Sequence, residues 1–328
     1  VNRYAGIAAP TGQGAFWGTR TLLQILHNEQ GKLPKGTARD YPLFPNRGFM
    51  LDVARKFFTM DYLKQYVKIL SFYKMNEFQI HLNDNGFPQF FGDDWNRTYA
   101  AFRLESERFP GLTAKDGSYS KQEFIDLQRM GLEYGVRIIP EIDIPAHSLA
   151  FAHYKPEIAS RKYGMDHLDL YKKETYQFVD SLLDEYLSGD NPVFIGDLHI
   201  GTDEYNKKEA EQYRYFTDRY LKFVEKYGKN VRMWGGLKWL PGKTPVKAEG
   251  VTVNAWSYDW VDPVVSLQDG YKLINTCDTY LYIVPAAGYY RDFLDHQWIY
   301  EKWSPWIMNR KQTLPEGNIP PNTPGVPS

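Results

Sequence analysis

Seven short apolar runs punctuate the chain, and each ends in polar or glycine-rich residues. They are "RGFMLDVA" (47–54), "EFQIHLND" (77–84), "VRIIPEID" (136–143), "VFIGDLHIGTDE" (193–204), "VRMWGG" (231–236), "VTVNAWS" (251–257) and "YKLINTC" (271–277). Bounded apolar runs of this length read as buried strands. Amphipathic stretches lie between the early ones. "MDYLKQYVKILSFYKM" (60–75) carries Leu63, Val67, Leu70 and Met75 at helical spacing, with Asp61 near its start. "SKQEFIDLQRMGLEYG" (120–135) opens on a Ser120–Glu123 capping box and stops at Gly135. "KKEAEQYRYFTDRYLKFVEKYG" (207–228) is a third helical pattern, stopped by Gly228. Strand and helix in alternation predict an α/β fold with a parallel sheet, of the TIM (β/α)8-barrel type. Seven runs are one short of that barrel, so the last strand is expected to be missing from this chain.

The two ends read differently from the middle. "GAFWGTRTLLQILHNEQ" (14–30) predicts a helix ahead of the first strand, and "LPEGNIPPNTPGVPS" is a Pro/Gly-rich tail with no pattern of its own. The expected division is a lead-in helix and linker over 1–40, left from a preceding domain, a barrel over 41–310 and a tail over 311–328. The start "VNRYAGIAAP" has neither an initiator Met nor a signal sequence and is expected to be an excised piece, with targeting segments outside it.

Composition narrows the function. The 328 residues are 43% hydrophobic with a net charge of −1, which gives no electrostatic footprint for nucleic acid. No apolar run approaches the roughly 18 residues of a membrane-spanning helix. A single cysteine, Cys277, excludes an internal disulfide. Aromatic residues reach 16%, with 25 Tyr, 19 Phe and 9 Trp, a supply of flat faces and polar tips suited to sugar rings as well as to a core. "GQGAFWG" resembles a dinucleotide loop but follows no strand, so no cofactor is expected. The histidines are scattered and no H-x-x-x-H helix occurs, so no metal site is expected either.

In such a barrel the chemistry collects at the carboxyl ends of the strands. Those ends carry Asp52 and Arg55, His81 and Asp84, Glu141, Asp143 and His147, Asp203 and Glu204, then Trp234, Trp256 and Tyr280. The adjacent carboxylates of "HIGTDEYN" (199–206) stand out, because two like charges side by side at a strand end need a reason.

"RGFMLDVAR", "HLNDNGFP", "EIDIPAHS", "HIGTDEY", "MWGG" and "YLY" resemble, in the same order, the motifs of glycoside hydrolase family 20, the β-N-acetylhexosaminidases and lacto-N-biosidases. The stretch "YAAFRLESERFPGLTAKDGSYSKQEF" is most similar to bacterial members. The resemblance implies a retaining exo-glycosidase that removes terminal β-linked N-acetylhexosamine (GlcNAc or GalNAc) from oligosaccharides. In that scheme the substrate's own 2-acetamido oxygen is the nucleophile. It implies Glu204 as general acid and later base, and Asp203 as the carboxylate that holds the acetamide. Mutual repulsion is expected to keep Glu204 protonated to higher pH. Asp84 and His147 match the pair that tunes the acid, and Tyr280 the tyrosine that bonds the acetamide carbonyl. Trp234 and Trp256 match pocket walls, and Arg47 the arginine that grips sugar hydroxyls, against the plainer reading of a salt bridge to Asp52. His81 stands between substrate contact and structural residue.

Two departures follow. Tyr282 occupies a position where many members carry Asp or Asn, which leaves room for a further sugar. The late strand whose Trp floors the pocket is missing, and Trp303 is the candidate replacement. The rival readings are a lacto-N-biosidase releasing a Gal-GlcNAc disaccharide and an inactive, truncated carbohydrate-binding barrel. The expected partner is an oligosaccharide or glycoconjugate, in a secreted or cell-surface bacterial setting.

Overall fold

The structure is a computed structural model that describes residues 4–308. The seven apolar runs form seven strands: β1 (Gly48–Asp52), β2 (Glu77–His81), β3 (Arg137–Ile144), β4 (Leu198–Gly201), β5 (Val231–Trp234), β6 (Val251–Ala255) and β7 (Lys272–Asn275). They make one sheet in chain order, each parallel to its neighbours. One row of paired residues runs Asp52–His81–Glu141–His199–Arg232–Thr252–Lys272. It leaves β1 at its carboxyl end and reaches β7 at its amino end. That stagger is the shear a closing barrel requires. Among the described residues β1 and β7 each have one strand partner, so the wall is open between them. Asn275 Nδ2 donates to Pro305 O and Ile307 O, both at 2.9 Å, and draws residues 305–307 against β7.

The helices are α1 (Gly12–Asn28), α2 (Met60–Phe72), α3 (Lys121–Glu133), α4 (Lys173–Leu187) and α5 (Ala210–Glu225), with shorter helical turns in the loops. Thr59 caps α2, and the Ser120–Glu123 capping box opens α3. The pattern over 207–228 starts with a 3₁₀ turn, Lys207–Glu209, before α5 proper. α4 was not anticipated, although Phe178, Val179, Leu182, Leu183, Tyr186 and Leu187 bury one face of it. Its first residue follows Lys172, which offers no capping side chain. The expected tail, 311–328, lies outside the described residues.

The lumen is polar, not apolar. Period-two alternation in β2 turns Phe78 and Ile80 toward the helices and Glu77, Gln79 and His81 inward. At the amino end Glu77 meets Arg232 across the barrel through two bonds, 2.7 and 2.8 Å. Gln79 sits one level up and bonds Asn254 (3.1 Å) and Glu141 (2.7 Å). Glu141 also accepts the indole N–H of Trp234 at 2.6 Å. Long loops leave the carboxyl ends of β2, β3 and β7, and between β5 and β6 there is no helix. Among the described residues no helix is long and apolar enough to cross a membrane.

Candidate active site

The site is built from four strand exits tied to one another. After β1 the chain turns sharply because Asp52 Oδ1 accepts the amides of Ala54 and Arg55 (2.9 and 3.0 Å). Fully buried Arg103 donates to the carbonyls of Val53 and Ala54 (2.8 and 2.7 Å) and clamps this turn to the β2 loop. Arg55 is thereby aimed inward, with Nη1 2.9 Å from Asp52 and 2.8 Å from Asp84. At the β2 exit, Asn83 accepts the amide of Asp143 (2.8 Å) and donates to the carbonyls of Asp143 (2.8 Å) and His147 (3.0 Å). This joins the β2 and β3 exits and holds His147 at φ 52°.

The β4 exit is the most constrained. A Cβ at Gly201 would fall 1.7 Å from Asp143 Oδ1, and φ is +68°, so glycine is required twice over. Thr202 (φ 75°) and Glu204 (φ 48°) are also left-handed. Non-glycine residues of this kind cost roughly 1–3 kcal/mol each and persist where the surroundings enforce them. Here the Thr202 amide donates to Asp143 (3.2 Å), Tyr213 donates to the Thr202 carbonyl, and His167 Nε2 donates to the Glu204 carbonyl (3.2 Å). The result turns Asp203 inward and Glu204 to the rim, with side chains 14% and 46% exposed.

His147 links the parts. Its Nδ1 lies 2.9 Å from Asp84, and its Nε2 lies 3.1 Å from Glu204 and 3.7 Å from Asp203. Burial disfavours its charge, but Asp84, Asp203 and Asp143 outweigh that and hold it cationic well above the usual imidazole range. Asp84 faces Arg55, His147 and His81 (2.6 Å), which hold it well below the carboxylate range despite burial. His81 also approaches Glu141 at 3.0 Å. Asp203 is pushed up to about 6, chiefly by burial and then by the Glu204 and Glu141 charges. Glu204 goes the other way. Burial pushes it up, but the hydrogen bond and charge of His147 win and lower it. The expectation that repulsion keeps Glu204 protonated is therefore corrected: Asp203 takes the upward shift, and the proton rests on His147. Asp203 Oδ1 is buried without a hydrogen-bond partner.

The other anticipated residues divide. Trp234 and Trp256 are buried (4% and 7% exposed). Trp234 lies edge-on to His199 at 4.9 Å, and Trp256 donates to Gly235 O at 2.9 Å and packs on Trp260. Tyr280 stacks on Trp298 (4.8 Å, 21°). Tyr282, on the same loop, feels Asp203: burial and then the Asp203 charge raise its phenol well above the usual range. Trp303 follows the helix His296–Glu301, with its indole nitrogen buried and unpartnered, and is not joined to the carboxylate pair by a hydrogen bond. Arg47 is a correction. It precedes β1, at the opposite end of the strand from Asp52, and its guanidinium donates to Lys74 O and Phe44 O, both at 2.7 Å. Five residues of strand separate it from the site by roughly 16 Å. It neither bridges to Asp52 nor reaches the carboxylates. Arg55, one turn past the strand, occupies the inward cationic position instead.

Three carboxylate–histidine groups have one ligand atom each within 4.8 Å of one another: Asp52/His81/Asp84, His81/Glu141/Asp143 and Asp143/His147/Asp203. All three share members of the network above. Arg55 and the cationic ring of His147 stand inside it, an arrangement that already balances much of the acid.

Residues 44–214 match the family model described as "Glycosyl hydrolase family 20, catalytic domain", and residues 1–41 match "Glycosyl hydrolase family 20, domain 2". The chain belongs to glycoside hydrolase family 20. Its fold is that family's TIM barrel, with the closing part absent from the described wall. A beta-hexosaminidase of Porphyromonas gingivalis is 27% identical over 311 residues, 77% of this chain and 36% of that protein. One of Akkermansia muciniphila is 28% identical over 294 residues, 77% of this chain and 56% of that protein. The GH20 beta-N-acetylhexosaminidase structure from Streptomyces coelicolor superposes with a TM-score of 0.66 at 27% identity, covering 82% of this chain and 57% of that one. This family 20 chain thus spans between about a third and three fifths of these relatives' lengths.

Proposed function

We propose that this family 20 barrel hydrolyses terminal β-linked N-acetylhexosamine from oligosaccharides or glycoconjugates by substrate assistance. The observation that carries the reading is Asp203: an inward carboxylate with one buried oxygen lacking a donor, beside a rim carboxylate wired to His147. An ordinary retaining pair stands on opposite sides of the bond, about 5–5.5 Å apart, with one carboxylate free to attack. Neighbours on one strand exit suit another division of labour. The acetamide N–H fills the empty place at Asp203 Oδ1, and its oxygen turns onto the anomeric carbon.

The acetamide oxygen then bonds to C1 as the C1–O bond to the leaving sugar breaks. Glu204 delivers a proton to the departing oxygen, refilled through its 3.1 Å contact with His147 Nε2. Asp203 stabilises the oxazolinium charge through a charge-assisted hydrogen bond. Water next attacks C1, Glu204 takes its proton, and the oxazoline C1–O bond opens. In this reading Arg55, which faces Asp84, holds sugar hydroxyls, and the tyrosines of the loop after β7, Tyr280 and Tyr282, orient the acetamide. Substrates of this class are met outside the cell, the setting we propose.

The test is kcat/KM for an aryl β-N-acetylglucosaminide against the matching β-glucoside with a 2-hydroxyl. The reading predicts that the glucoside is almost inert. Comparable rates on both contradict it.

A further inference from the structure

A small hairpin joins two of the strand exits that build the site. It pairs Ala159–Ser160 with Gly164–Leu168 in antiparallel. Its second strand bonds the His147 loop: the amide of Leu168 donates to Pro145 O (2.8 Å), and the amide of Ser148 donates to Asp166 O (2.9 Å). The same strand bonds the Glu204 loop. His167 Nε2 donates to the Glu204 carbonyl at 3.2 Å, and the hydroxyl of buried Tyr205 donates to Leu168 O at 2.7 Å. Tyr205 also packs against the His167 ring at 5.3 Å. Further along, Glu209 accepts from Lys162 at 2.9 Å and from the hydroxyls of Tyr163 and Tyr171. The segment 162–171 is thus tied to 145–148 and to 204–209 at once.

Glu204 needs such a hold. Its backbone is left-handed and its side chain is 46% exposed. Among the described residues its carboxylate has one hydrogen-bond partner, His147 Nε2 at 3.1 Å. A non-glycine residue relaxes out of the left-handed region unless its surroundings enforce it. The constraints at Gly201 and Thr202 act before Asp203 and leave the Glu204 carbonyl untouched. His167 takes that carbonyl, while Asp166 lies 2.8 Å from the other ring nitrogen and fixes the ring. A proton donor displaced by about 1 Å can lose on the order of 10²-fold in rate, so this hold bears on chemistry as well as on folding.

We propose that His167 is a positioning residue for the general acid: its bond to the Glu204 carbonyl, carried on a hairpin that is also bonded to the His147 loop, sets Glu204 at the contact with His147 through which its proton is refilled. The proposal rests on the reading of Glu204 as that acid. His167 touches neither the sugar nor the reacting atoms. Its effect is confined to proton delivery, so it grows with the need of the leaving group for a proton.

The experiment measures kcat and KM of wild type, His167→Phe and His167→Gln on two substrates, a GlcNAc disaccharide and an aryl β-N-acetylglucosaminide with a very good leaving group. His167→Phe keeps a ring against Tyr205 and loses the bond. His167→Gln loses the ring and keeps a donor. The expected result for His167→Phe is a fall in kcat of roughly 10–10²-fold on the disaccharide, with KM and the aryl rate within about twofold of wild type. His167→Gln should recover most of that loss. Tyr205→Phe removes the neighbouring tether, should show the same pattern more weakly, and carries the test if His167→Phe does not fold. An equal fall on both substrates, no fall on either, or a His167→Gln no better than His167→Phe overturns the proposal. The separation of His147 Nε2 and Glu204 Oε2 in crystal structures of the same proteins is read without turnover. Contact in wild type and His167→Gln, with separation in His167→Phe, upholds the positioning even where wild type hydrolyses nothing, and then only the activity reading fails. Contact retained in His167→Phe overturns it.

Discussion

The two ends of this barrel hold buried ionic networks made of similar residues, and they behave oppositely. At the amino end, Glu77 meets Arg232 through two bonds while Arg232 also reaches Asp197 at 3.0 Å and Arg137 joins Glu77. Two carboxylates face two guanidiniums. At the carboxyl end, Asp84, Glu141, Asp143, Asp203 and Glu204 crowd around Arg55, His81 and His147. Acid exceeds base there, one carboxylate oxygen has no partner, and three non-glycine residues, His147, Thr202 and Glu204, are left-handed. A satisfied network fixes a fold. An unsatisfied one, enforced by its surroundings, leaves interactions for a substrate to complete.

The largest expected effect lies at the rim of the unsatisfied end. Glu204→Gln keeps the shape and removes the carboxylate that passes the His147 proton to the leaving oxygen, so kcat on natural glycosides should fall roughly 10²–10⁴-fold. An aryl glycoside with a very good leaving group should lose far less. Equal loss on both would separate Glu204 from proton delivery.

At the satisfied end, Arg232→Ala strands Glu77 and Asp197 without their cation. Denaturant unfolding should show a loss of about 3–5 kcal/mol. The paired change Glu77→Gln with Arg232→Met should recover most of it, and kcat of the folded protein should stay within about twofold. A comparable loss of kcat would erase the contrast between the ends.

Asp203 sharpens the contrast through pH. Its folded value is about 6 against an ordinary 3.8, so the folded protein binds the extra proton between those values. The stability this gives is full below about pH 4 and is lost as pH rises through 6, an effect on the order of 1–3 kcal/mol shared with its neighbour Asp143. Asp203→Asn should flatten that slope and make the protein more stable than wild type at pH 8. An unchanged slope would place the upward shift on another group.

The smallest effect is expected at Arg47. Arg47→Ala should leave kcat/KM within about twofold and cost about 1–2 kcal/mol, from its bonds to the Phe44 and Lys74 carbonyls. A large rise in KM would return Arg47 to the substrate.

The apolar runs made all seven strands legible, because each is bounded by polar or glycine residues at the point where the sheet ends. α4 was equally periodic but lacks a capping side chain to mark its start. The carboxylate pair and its His147 partner could be found from motif order. Arg47 was misplaced because a motif read as a string does not say which side of the strand a residue lies on. The strand begins after Arg47 and ends before Arg55. Tyr280 and Tyr282 differ by one short helical turn, which points one ring at Trp298 and sets the other near Asp203. Which acid carries the raised value depends on His147, 57 residues away in sequence, and no local reading of "TDE" contains it.

The central claim is that Asp203 completes a hydrogen bond to a cyclising acetamide and never attacks the sugar. The most direct measurement is the inhibition constant of a thiazoline mimic of the cyclised intermediate, for wild type and for Asp203→Asn. The account predicts strong inhibition of wild type and a weakening of about 10²-fold or more in the variant, the scale of a charge-assisted bond aimed at developing charge. Equal inhibition of both proteins, or none of wild type, would contradict it.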